Sequence, residues 1–326
     1  MSDSQLTIPV TDGELSSELK SIADKAKLFA SASKSEATKK AYRADFNHFS
    51  NWCIEHDLAP LPARPEAVAF YITHLAEADY ATSTIGRRLV AISQAHKLTD
   101  HESPTAAQAV REVWKGIRRE QGVAQKSKWP LMTVEVRRIV QQLDDAKLID
   151  VRDTALILVG FAGGLRRSEV VGLDVENLEE REKGLVLQLQ NAKTDQEGKG
   201  QLIGIPRGRN EETCPVRALQ VWLETAAIDA GPVFRSVRKG GDVADDRLSA
   251  RSVNLVVKRH VETIGLDPAR YGAHSLRSGF ATAAARVGAS EREIMRHTRH
   301  KSRQIVRRYI EDGGIFSDNA AAMLGL

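Results

Sequence analysis

Apolar positions recur along most of this chain at helical spacing. Between residues 35 and 57, Tyr42, Phe46, Phe49 and Cys53 fall at i, i+4, i+7 and i+11, one stripe of an amphipathic helix. A second helix follows Pro65, with Val68, Ile72 and Leu75 turned inward. A third starts from a Thr-Ser-Thr cap at 82–84 and buries Ile85, Leu89 and Ile92. A fourth begins at Ser103-Pro104, with proline in its first turn, and buries Val110, Trp114 and Ile117. Residues 1–30 are polar and hold at most one short helix around Leu15, Leu19 and Ile22. Periodicity stops over 121–130, where glycine, serine, proline and two lysines read as a linker.

Beyond the linker the pattern is mixed. Thr133 is placed to cap a helix running to Leu143. Residues 151–162 are apolar on most sides, which makes that helix the core of a second domain, and Gly163-Gly164 ends it. Alternation over 185–190, and less cleanly over 201–205, predicts a β-hairpin whose turn carries Lys193. Further helices are predicted from Cys214 to about Ala227 and over 249–263. From His274 to Tyr309 the chain reads as short helical segments around His-Ser-Leu-Arg (274–277) and His-Thr-Arg-His-Lys-Ser (297–302). Gly313-Gly314 then predicts a flexible break before a short tail helix in 315–326 with Ala320, Ala321, Met323 and Leu324 on its apolar side, which must be buried either on its own domain or on another copy.

The chain has 326 residues, enough for two domains, and 42% hydrophobic with 28% charged residues describes a globular protein. A net charge of +4 and a pI near 9.0 suit a polyanionic partner, and equally an ordinary basic protein. Cys53 and Cys214 are too few and too far apart for a disulfide framework or a metal site, and read as buried thiols of a reducing compartment. No apolar run approaches membrane-spanning length and no signal-peptide pattern opens the chain, so no membrane partner is expected and the location expected is the cytoplasm. Charge distribution adds more than net charge. Lys39, Lys40 and Arg43 lie off the first apolar stripe, and Arg87 and Arg88 lie on the outer sides of the third helix. Arg111, Lys115, Arg118 and Arg119 share one face of the fourth. Such faces are either simply solvated or follow a nucleic-acid backbone.

The candidate chemistry sits in the second half. Arg166 follows a buried helix and a sharp turn, and an arginine held there needs a partner or an anion. Glu169 is in reach as that partner, in which case the two only close a helix terminus. Arginines and histidines hold a phosphate by charge-assisted hydrogen bonds, and a tyrosine can attack it. There is no phosphate-binding glycine loop with its lysine, no carboxylate cluster for Mg²⁺ and no Cys/His zinc spacing.

Gly-Leu-Arg-Arg-Ser-Glu at 164–169, Lys193-Thr194 in a hairpin, His-Ser-Leu-Arg at 274–277 and His300 nine residues before Tyr309 together resemble the tyrosine recombinase, or phage integrase, family and its Cre-like subgroup. The resemblance covers about 160–310. It implies a mainly α fold with a small antiparallel β-sheet (α+β). It also implies a flexible segment (1–30), an all-helical core-binding domain of SAM-like type (31–122), a linker (123–131), a catalytic domain of the DNA breaking-rejoining type (132–314) and a tail helix for subunit docking (315–326). The implied activity is site-specific cutting and rejoining of DNA through a 3′-phosphotyrosyl intermediate, with no cofactor, metal or ATP. Tyr309 would be the nucleophile and Arg166 and Arg277 the phosphate ligands. Lys193 would be the general acid, with His274 and His300 on the phosphate or the tyrosine proton and Glu169 supporting the arginines. Arg299 stands where the family usually has glycine before the histidine. The implied partners are a double-stranded recombination site and three further copies in a tetramer on two sites, the protein being a monomer or weak dimer off DNA, within a bacterial nucleoid. A topoisomerase of type IB and a non-catalytic DNA-binding protein remain as alternatives.

Overall fold

The computed structural model describes residues 36–122, 127–189, 200–314 and 324. The chain divides into two compact units, Met1–Lys126 and Ser127–Leu326.

The first unit contains α1 (Glu36–Glu55), α2 (Pro65–Glu77), α3 (Thr82–Leu98) and α4 (Gln108–Gln121). The predicted stripes meet in one core of Phe49, Trp52, Cys53, Tyr71, Ile72, Leu75, Ile85, Ile92, Val110 and Ile117. α1 lies on α3 and α2 on α4. The fourth helix starts later than its proline suggested: Pro104–Ala106 form a separate 3₁₀ turn, and Ala107 caps α4. Arg88 is not on an outer side. It is 7% exposed, its guanidinium lies 4.5 Å over the Tyr80 ring, and its charge faces Asp45 of α1. The helix turns Arg88 inward because Asp45 is itself buried and needs a cation, which Arg87 also supplies through bonds of 2.6 and 3.0 Å.

The second unit comprises α5 (Thr133–Val140), α6 (Leu148–Ala162), α7 (Arg167–Val171), β1 (Leu178–Arg181), β2 (Gly184–Leu189), β3 (Gln201–Pro206) and α8 (Pro215–Thr225). After these come β4 (Arg235–Val237), β5 (Val243–Arg247), α9 (Ala250–Thr263), α10 (Ala273–Arg286), α11 (Glu291–Thr298) and α12 (Arg303–Gly314). α6 is the core helix, with Ala155, Leu156, Ile157 and Val159 fully buried. β1, β2 and β3 form one antiparallel sheet in which Leu189 pairs with Gln201. Leu185, Leu187, Leu189, Ile203 and Ile205 supply its buried side. β1 was hidden by its polar sequence, Leu-Glu-Glu-Arg, and the β4–β5 hairpin by its short length around Gly240-Gly241. Thr133 is the first helical residue of α5 and Met132 its cap. Cys214 is buried as the cap of α8, not within the helix. No helix among the described residues is long and apolar enough to cross a membrane.

Two segments at the ends of the second unit's helical frame differ from what their composition suggests. Residues 127–131, read as linker, are pinned to the second unit: Trp129 N donates to Arg270 O (2.8 Å) and Leu131 N to Ser275 O (2.9 Å). The Arg270 guanidinium covers the Trp129 ring at 4.2 Å. Gly313-Gly314 is not a break. α12 runs through both, packed on α10 so closely that a Cβ at Gly313 would lie 3.0 Å from Thr282 O. The Lys193 turn and the 315–326 tail fall outside the described residues, Leu324 excepted, as does the 1–30 segment.

The segment at Leu131 crosses α10 at Gly279, where a Cβ would stand 1.8 Å from Leu131 O. Gly279→Ala must therefore displace either that segment or the helix, and is expected to destabilise the protein by roughly 1–3 kcal/mol, the usual range for overpacking. Urea unfolding checks this; wild-type stability in the variant would mean the crossing is not tight.

Candidate active site

Four elements converge on one cationic cluster. The first is the turn after α6. Gly164, at φ +52, reverses the chain so that its carbonyl points back toward α10, and a Cβ there would lie 3.2 Å from Thr298 Cγ2. That carbonyl accepts from Arg277 Nη1 (2.6 Å) and Arg299 Nη2 (3.3 Å). The second element is α7, whose first turn holds Glu169. This buried carboxylate accepts from the Arg166 backbone N–H (2.8 Å) and Nη1 (2.5 Å). The expected Arg166–Glu169 pair is thus real, but Glu169 has a second partner, Arg299 Nη2 at 2.7 Å. Burial pushes the Glu169 carboxyl up, yet Arg299 and Arg166 hold it below its ordinary value, so it is ionised.

The third element is α10, which carries His274 and Arg277 one turn apart. Arg277 is 1% exposed, and its Nη2 has no protein partner among the described residues. Burial first, then the charges of Arg166 and Arg299, lower its pKa to about 9, which leaves it protonated at neutral pH. The fourth element is α11–α12. Val306 of α12 is fully buried with Ala281 and Ile294, and this contact sets Tyr309 beside α10. Tyr309 Oη and His274 Nε2 are 3.1 Å apart. Burial raises the Tyr309 pKa, against the pull of Arg277, so the phenol stays protonated and needs an acceptor for its proton.

His300 leans on the Tyr309 ring, centroids 5.6 Å apart. Its tautomer follows from Thr298, whose hydroxyl donates to Ile294 O (2.6 Å) and so must accept from His300 Nδ1 (2.7 Å). His300 Nε2 is then the acceptor facing Arg277 Nε at 3.4 Å. Burial, with Arg277 and Arg166, drops the His300 pKa to about 3. His274, nearer solvent, is also held below the ordinary imidazole value, by burial first and then by Arg277 and Arg166. Both rings are neutral at pH 7. His297 is elsewhere: it stacks on Phe280 and bonds Ala162 O at 2.7 Å, a structural task.

The structure therefore brings together Arg166, Glu169, His274, Arg277, His300 and Tyr309 of the expected set. Lys193 lies outside the described residues. Sequence reasoning missed Thr298 and the side chain of Arg299. Three guanidiniums (Arg166, Arg277, Arg299) against one carboxylate (Glu169) leave two positive charges in excess, mostly withdrawn from water. Such a surplus favours an anion, and Arg277 Nη2 is a donor free to take one.

The basic candidates of the first unit are distributed unevenly. Lys40, Arg43, Arg111, Lys115, Arg118 and Arg119 are exposed, Lys39 bonds Glu36 at 2.7 Å, Arg87 is tied to Asp45, and Arg88 is interior. Arg118 also covers the Trp114 ring at 5.9 Å.

Residues 130–313 match the phage integrase family, and residues 25–102 match the N-terminal SAM-like domain of phage integrases. The chain is 42% identical over 299 residues to an integrase/recombinase, a XerD homologue, of Selenomonas ruminantium, covering 91% of this chain and 87% of that protein. It is 24% identical to the recombinase Cre of Escherichia phage P1, over 85% of this chain and 84% of Cre. Its fold matches that of the Tn1549 transposon integrase, solved with transposon right-end DNA, at a TM-score of 0.61 and 16% identity, over 89% of this chain and 92% of that one. The chain belongs to the phage integrase family.

Proposed function

We propose that this protein is a site-specific DNA recombinase that breaks and rejoins strands through Tyr309. The observation that carries this is the cationic surplus of Arg166, Arg277 and Arg299 beside a tyrosine whose hydroxyl lies 3.1 Å from a neutral histidine. A phosphodiester bears one negative charge and its five-coordinate transition state two, so fixed guanidiniums favour the transition state over the ground state. Tyr309 Oη attacks phosphorus and its proton passes to His274 Nε2. The bond to the 5′-oxygen breaks, and Lys193 protonates that leaving oxygen. His300 Nε2 accepts from Arg277 Nε and so helps hold that guanidinium on the phosphate. The ester energy stays in the 3′-phosphotyrosyl bond until another strand's 5′-hydroxyl attacks it. Curated relatives that bear the names integrase and recombinase support this reading.

The partner is duplex DNA carrying a recombination site, acting in the cytoplasm on the nucleoid. The first unit is the core-binding domain, with Lys40, Arg43, Arg111, Lys115, Arg118 and Arg119 as its phosphate contacts and the second unit as the catalytic domain. Arg87 contributes only through its exposed part, and Lys39 after release from Glu36. Assembly is a homo-tetramer on two sites, the protein being a monomer or weak dimer off DNA. Residues 315–326 bring a neighbour's groove into use: the groove between β3, α10 and α11 is lined by Leu202, Phe280, Ala284, Val287 and Ile294, with Val287 86% exposed.

Tyr309→Phe should bind DNA normally and form no covalent adduct with a nicked substrate. Lys193→Ala should form adduct poorly on a normal phosphodiester but regain it on a 5′-bridging phosphorothiolate, whose leaving sulfur needs no proton. An adduct with the Phe variant would assign the nucleophile elsewhere, and failure of the thiolate to rescue would remove Lys193 as the acid.

Deleting 315–326 should leave binding to a single site intact while native-gel synapsis and recombination fall sharply. Wild-type levels of both would make the tail dispensable for assembly.

A further inference from the structure

Arg299 occupies a position where its backbone is disfavoured. Its φ is +59° and its ψ 38°, the left-handed region, and it caps α11. The other described non-glycine residues with positive φ are Asp57, Asp79, Asp100 and Ala227. Aspartates tolerate that conformation through their own short polar side chains; a long buried arginine has no such local help. What holds Arg299 there is the network around its side chain, which is 6% exposed. Nη1 donates to His297 O at 2.7 Å, and Nη2 donates to Glu169 Oε2 at 2.7 Å and to Gly164 O at 3.3 Å.

The contacts run in both directions. The Arg299 side chain holds the carboxylate that holds Arg166, while the Arg299 carbonyl accepts from Arg166 Nη2 at 3.2 Å. The Gly164 carbonyl that receives Arg299 is the one that receives Arg277 Nη1. Arg299 therefore touches, directly or through one shared acceptor, both arginines assigned to the phosphate. It also supplies one of the two surplus charges: without it, Glu169 would offset one of only two guanidiniums.

We propose that Arg299 is a positioning residue for strand cleavage, fixing the guanidiniums of Arg166 and Arg277 through Glu169 and the Gly164 carbonyl. This rests on the recombinase reading above. A residue that only braced the 298–301 loop would share the same burial, so the two roles must be separated by what each variant loses.

Arg299→Gly removes the guanidinium while placing at this φ the residue that adopts it without strain. Adduct formation is measured in single turnover on a nicked duplex bearing the recognition sequence that the wild-type protein selects from a random library. Measured well below the variant's own unfolding transition, the rate is expected to fall by about 10-fold or more, the scale on which supporting partners act, with DNA affinity unchanged and some lowering of the melting temperature because Glu169 loses a buried partner. Added guanidinium ion should restore part of the rate. In Arg299→Gly/Glu169→Gln the losses should be less than additive, because the two residues share the Arg299–Glu169 contact. Should Arg299→Gly fold poorly, Arg299→Lys is read in the same way, with a smaller loss expected from its retained charge. A wild-type rate, a loss matched by weakened folding and blind to guanidinium, or additive losses with Glu169→Gln would overturn the inference. No adduct from the wild-type protein would instead overturn the recombinase reading and this inference with it.

Discussion

The structure depends on one carboxylate placed among three guanidiniums. Glu169 is buried at the first turn of α7, and its two oxygens take Arg166 and Arg299 from opposite ends of the second unit's sequence. Removing a buried carboxylate from such a cluster leaves like charges facing one another in a medium that screens them poorly. The surrounding fold serves to keep that cluster in register. α6 is a core helix so that the turn after it is rigid. Gly164 is left-handed so that its carbonyl faces α10. Gly279 and Gly313 lack side chains where α10 meets the Leu131 segment and α12.

Electrostatics then divide the labour among the titratable groups. The arginines keep their charge in spite of burial, even Arg277, whose pKa is pulled down to about 9. The histidines do not: His300 falls to about 3, and His274 is lowered as well. Cations of fixed charge thus face the phosphate while neutral imidazoles remain able to accept a proton or a hydrogen bond. The same field that keeps His274 neutral favours the Tyr309 phenolate, partly offsetting the burial that raises its pKa.

Much of this was legible in the sequence, for identifiable reasons. Helices with a clear apolar stripe, such as α1 to α4, and a uniformly apolar one, α6, announce themselves because burial dominates their energetics. The cationic positions Arg166 and Arg277, and Tyr309, were legible as spaced motifs. What the sequence could not display were contacts across long separations. Arg88 looked like a surface residue until Asp45, on another helix, proved to be buried opposite it. Arg299 looked like an anomaly at a glycine position until Glu169, far upstream, appeared as its partner. The glycines at 313 and 314 carry the composition of a break, but close packing of Gly313 on α10 overrides their poor helix propensity. β1 failed to show because its edge position leaves it mostly exposed and polar.

If the surplus charge of the arginine cluster is what stabilises the reacting phosphate, the need for it must scale with the charge on that phosphate. The direct measurement compares wild-type protein and Arg277→Ala on a normal substrate and on one whose scissile phosphate is a neutral methylphosphonate. On the phosphodiester the loss should be at least ~10²-fold, the usual effect of deleting a transition-state donor. On the methylphosphonate, which develops one negative charge fewer, the loss should shrink markedly. An equal loss on both substrates would show that Arg277 acts through structure and not through charge, and would contradict the central claim.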